Sequence, residues 1–65
     1  MFEFTKETLD GTTYYATTNA RGTTTMMFEM CGTVFVQVNR SPAKAMQDIA
    51  KPSKQVKDLL SAFNA

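Results

Sequence analysis

The chain has 65 residues, one cysteine, no histidine and a formal net charge of +1. That length bounds it at a single domain, 1–65, and a chain of this size buries only about 60% of its unfolded surface. One cysteine excludes an internal disulfide, the missing histidine excludes Cys/His zinc sites, and no cofactor-binding motif is present. The stability that a small core lacks is expected from a second copy of the chain or from a partner.

Composition divides the chain at Asn39–Arg40. All ten threonines lie before that point, and the remainder is rich in alanine and lysine. Threonine is β-branched and favours extended backbone, so residues 1–39 read as sheet and 40–65 as helix.

A first strand near Phe2–Thr8 is followed by Asp10-Gly11, a type I′ hairpin signal, because both central residues take positive φ. A second strand runs near Thr12–Thr18. Asn19-Ala20-Arg21-Gly22 reads as a four-residue turn into a third strand near Thr23–Met30. In that register Tyr15 faces Lys6 on one side and Met26 on the other. One face then collects Phe2, Phe4, Tyr15, Met26, Phe28 and Met30. The opposite face collects Glu3, Glu7, Tyr14, Met27 and Glu29 among threonines. Cys31-Gly32 interrupts the next apolar run. A three-residue loop or a bulge there brings Val34, Val36 and Val38 to the apolar face and leaves Phe35 on the polar one.

Ser41-Pro42 fits a helix N-cap followed by proline at the first helical position. Pro52 breaks or kinks that helix, and Ser53 is placed to cap the continuation. Val56, Leu59, Leu60 and Phe63 keep helical spacing. The expected fold is α+β: a four-stranded (or three-stranded) antiparallel meander with one face covered by a C-terminal kinked helix or two short helices.

Without histidine, no Ser/His or Cys/His nucleophile pair exists within the chain, and the commonest general base is missing. Glu3, Glu7 and Glu29 fall on an open face that does not desolvate them, which argues against acid–base work. Cys31 beside Gly32 reads as a small turn side chain rather than a reactive thiolate. These features point away from an enzyme.

Tyr14, Met27 and Phe35 form an apolar patch on the polar face, a common signature of protein contact. The leading expectation is therefore a non-catalytic regulator or inhibitor that occupies a site on a larger protein. Such small free-standing chains are frequent among phage and mobile-element accessory proteins. Charge supplies the alternative. Residues 1–39 carry a net of −2 and residues 40–65 a net of +3. Arg40, Lys44, Lys51, Lys54 and Lys57 could thus hold nucleic-acid phosphates, although a solvated helix face is the plainer reading. A homodimer, or a self-assembling structural subunit with the patch as its seam, is the third possibility. No apolar run reaches the roughly 20 residues of a membrane span, and no signal-peptide pattern opens the chain. A cytoplasmic setting is expected.

Overall fold

A computed structural model describes residues 2–65. Five antiparallel strands follow one another in sheet order: β1 (Thr5–Leu9), β2 (Thr12–Thr18), β3 (Thr24–Met30), β4 (Thr33–Val38) and the short β5 (Lys44–Ala45). A 3₁₀ turn at Met46–Asp48 and one helix, α1 (Lys54–Phe63), complete the chain. The α+β class and the meander are as expected, with β5 added to the four strands read from the sequence.

The first hairpin has the anticipated register. Asp10 and Gly11 both take positive φ, at 50° and 80°, and Lys6 pairs with Tyr15. The second hairpin does not. Asn19 and Thr23 pair with each other, since the Asn19 N–H donates to the Thr23 carbonyl at 3.0 Å. The Asn19 Oδ1 also accepts from the Arg21 and Thr23 amides at 2.9 and 3.0 Å. Only Ala20, Arg21 and Gly22 are left in the loop, with Gly22 at φ 83°. Such a loop, an ordinary turn followed by a left-handed glycine, is a common hairpin solution. Tyr15 consequently faces Met27 and not Met26. A one-residue shift turns every side chain of a strand over.

The third hairpin is the tight two-residue form. Cys31 and Gly32 take φ 53° and 77°, and Met30 pairs with Thr33. Relative to Phe28, this moves the valines to the other face. Val34 and Val36 thereby rejoin Tyr15 and Met27 on the face that α1 covers.

Residues 41–49 are not α-helical. Asn39, at φ 53°, clamps the end of β4: its N–H donates to the Thr24 carbonyl at 2.7 Å, and its Oδ1 accepts from the Thr24 amide at 2.9 Å. Ser41 N–H then closes a turn onto the Val38 carbonyl at 3.0 Å. Lys44 and Ala45 pair with Val36 and Phe35. Between this turn and Pro52 there is room for about ten residues, too few for a stable unsupported helix. Pairing with β4 instead satisfies the strand's outer backbone groups. Met46 and Ile49 still pack on the core, as partly buried neighbours.

The core itself is small. Met27 and Leu59 are fully buried, with Val36 and Val56 beside them. An aromatic run extends it along the same face. Phe2 stacks on Phe4 at 5.3 Å, Phe4 on Tyr15 at 5.9 Å, and Phe63 meets the Tyr15 ring edge-on at 5.4 Å. Ser53 caps α1 by accepting from the Val56 amide at 3.4 Å. Gln55 fastens the helix to the sheet: its amide donates to the Thr23 carbonyl and its oxygen accepts from buried Thr25, both at 3.3 Å.

Leu59→Ala should cost about 2–5 kcal/mol by removing the centre of this contact. A chain of this size holds only about 3–10 kcal/mol in all. Urea denaturation should therefore find the variant largely unfolded at a midpoint close to zero denaturant. Ser53→Ala, at the far end of the same helix, should lose about 1 kcal/mol or less.

Candidate functional interface

Among the described residues, no element packs on the face of the sheet away from α1. Its centre is one continuous cross-strand row. The pairings Glu7–Tyr14, Tyr14–Phe28, Phe28–Phe35 and Phe35–Ala45 run through all five strands. The three rings touch. Tyr14 and Phe28 are 5.1 Å apart in a tilted arrangement, and Phe28 and Phe35 are 5.7 Å apart and stacked. Such pairs hold one another in place, at about 0.5–1.5 kcal/mol each beyond burial. The three rings thus brace one another along the row.

The rows on either side are mixed, with Thr5 and Gln37 beside Ala16 and Met26, and Thr12 and Thr33 alternating with Leu9 and Met30. Ala16 pairs with Met26 on one side. Leu9 and Met30 lie on the other, 60% and 49% exposed. Tyr14, Phe28 and Phe35 are each only half-buried. Among the strand positions on this face, Glu7 is the single charged residue. A neutral face with an aromatic row at its centre and methionines set among threonines can meet another protein surface through that row.

Two of the three residues expected to form the contact patch lie in this row, Tyr14 and Phe35. Met27 does not. It is fully buried under α1, because the Asn19–Thr23 pairing turned β3 over. Phe28 takes its place between Tyr14 and Phe35. Phe28 was legible as a large apolar residue in a strand, but its side of the sheet depended on the parity of one turn.

The basic residues are dispersed. Arg40 sits in the turn after β4, and Lys44 lies on β5 in register with Val36, on the helix side. Lys44 and Lys51 border a groove of about 430 Å³ floored by Val36, Ile49 and Val56, together with Asp48. Only Lys54 and Lys57 are on the helix, where Lys54 Nζ pairs with Asp58 at 3.2 Å. That pair is exposed on the lysine side and contributes little. The single lysine stripe expected on one helix face is not formed, since residues 44–51 are not α-helical.

The carboxylates separate as well. Glu7 lies on the open face and Glu29 on the helix face, opposite Val34. The Glu3 carbonyl, ahead of β1, accepts from the Thr17 hydroxyl at 2.7 Å. No group of three or more potential metal ligands occurs among the described residues. Cys31 is an exposed free thiol at the tip of the third hairpin. Among the described residues no helix is long and apolar enough to cross a membrane.

No family model, curated protein or solved structure matches the chain.

Methionine oxidation reads the face assignment directly, because peroxide attacks accessible thioethers first. In dilute native protein Met30 should be oxidised early and Met27 last, as followed by peptide mass spectrometry. Rapid oxidation of Met27 would place β3 in the other register.

Proposed function

We propose that this chain is a non-catalytic binding protein that acts by contact through its open sheet face. The observation that carries the reading is the Tyr14–Phe28–Phe35 ladder, three touching rings on an uncovered and almost uncharged surface. The mechanism is occlusion: the sheet face covers a complementary apolar surface of another protein. Aromatic side chains at the centre of such a face supply much burial at little cost in side-chain freedom. β1 is the outer strand beside the ladder, and its unpaired edge offers a further contact by sheet extension. A regulator or inhibitor works in this manner without chemistry of its own.

Nucleic-acid binding has less support. Sheet platforms that stack bases need cations around the aromatic rings. Here Lys6 and Lys44 both lie on the helix side, and Lys6 sits 5.5 Å from the centre of the Tyr15 ring. Lys51, Lys54 and Lys57 belong to the loop and helix beyond the sheet.

Co-purification of bound protein from the native host tests the reading. Tyr14→Ala, Phe28→Ala and Phe35→Ala should each reduce recovery at least tenfold, while Lys51→Glu and Lys57→Glu leave it unchanged. The reverse pattern, together with salt-sensitive retention on DNA or RNA, would replace protein contact by phosphate contact.

A further inference from the structure

We infer that the occupant of the open sheet face is a second copy of this chain. The inference rests on the reading of that face as a protein-contact surface and puts a second copy, in place of a host protein, as the surface it covers. Three observations converge on it.

The first is area. The folded chain exposes 4901 Å². A folded monomer of 7.2 kDa is expected to expose about 4100 Å². The chain is thus about 800 Å² less covered than a compact monomer of its mass, an excess spread over the whole chain and comparable in size to one side of a standard interface. The second is the core. Among the described residues four apolar side chains are fully or nearly fully buried, few for a domain of this length. Small chains without disulfide or metal commonly make up the difference by association.

The third is charge and symmetry. A two-fold contact brings a surface against itself, so a strongly charged face repels its own copy. This face carries one strand-borne charge, Glu7, at the end of the aromatic row. Phe28 lies on β3, the central strand of five. A two-fold axis between the copies, running close to the direction of β3, sets Phe28 on its counterpart and Tyr14 on Phe35 of the second copy. The sheets then stack about 10 Å apart with their strands nearly aligned, the usual geometry of a sandwich. The two Glu7 carboxylates fall at opposite rims. They are roughly 19 Å apart along the row, beyond the screening length of about 8 Å at physiological salt. An axis along the row would instead place Glu7 on Glu7. The low charge of the face thus admits a second copy, and Glu7 sets the orientation.

Sedimentation equilibrium of the full chain from 1 to 500 µM, with melting followed over the same range, tests this. The wild type should sediment at twice the chain mass, and its melting temperature should rise with concentration. Phe28→Asp should weaken association at least a hundredfold, and Leu9→Lys at the rim about tenfold or less. Where a variant unfolds on dissociating, mixed-label NMR of the wild type still decides. Labelled Met26 and Met30 methyls should give intermolecular contacts to unlabelled aromatic rings.

A wild-type monomer at 500 µM overturns the inference. So does a dimer that survives Phe28→Asp or lacks the methionine contacts. A monomer that nevertheless captures a host protein through Phe28 leaves the contact-surface reading standing without the second copy. A monomer that captures nothing removes both.

Discussion

The pairing of Asn19 with Thr23 decides which side of β3 faces the helix. The Asn19 side chain takes up two amides inside the turn, so the loop closes with three residues at its tip and Gly22 in the left-handed region. With a four-residue loop, Met26 and Phe28 would lie under α1 and Met27 in solvent. With three, Met27 meets Leu59 at the centre of the core. The whole open face follows from that choice. Phe28 is available for stacking between Tyr14 and Phe35 only because its neighbour is buried.

The two faces are apolar in different ways. On the helix side, apolar side chains are interrupted by threonines that find partners, Thr17 with the Glu3 carbonyl and Thr25 with Gln55. No buried side-chain polar atom is left unpaired among the described residues. That side is covered at its centre by α1, and its buried polar side chains are paired. On the open side the rings are paired only with one another. Their outer surfaces remain in water, which is costly for aromatic carbon. The difference between a face covered at its centre and an uncovered one is the physical basis of the functional reading.

The C-terminal part shows how tertiary context overrides local preference. Ser41-Pro42, followed by alanine, lysine and methionine, carries every local sign of a helix start. The chain instead turns at Asn39, because that residue is already engaged with Thr24, and lays Lys44 and Ala45 along β4. Covering part of an exposed sheet edge is worth more to a small domain than one short helix before a proline. The consequence reaches the charge distribution. Lysines that would form a stripe on a continuous helix are spread over a strand, a loop and a helix.

Local chemistry determined much of this protein from the sequence alone. Asp10-Gly11 specified the first hairpin and its register, threonine content marked the sheet, and Ser53 with the 56–63 apolar spacing marked α1. Each is a short-range property, settled by φ preferences, capping or helical period. Tyr14 and Phe35 were also legible as residues of one face. The tertiary structure decided what depended on parity and competition. Phe28 replaced Met27 in the surface row because one asparagine shortened a loop. The valines of β4 reached the core because Cys31-Gly32 formed a tight turn and not the bulge that sequence patterning favoured. Residues 44–45 became strand because β4 had an edge to offer. Alternation along a strand records which residues share a face, but which face is buried is fixed only when turns and helix meet.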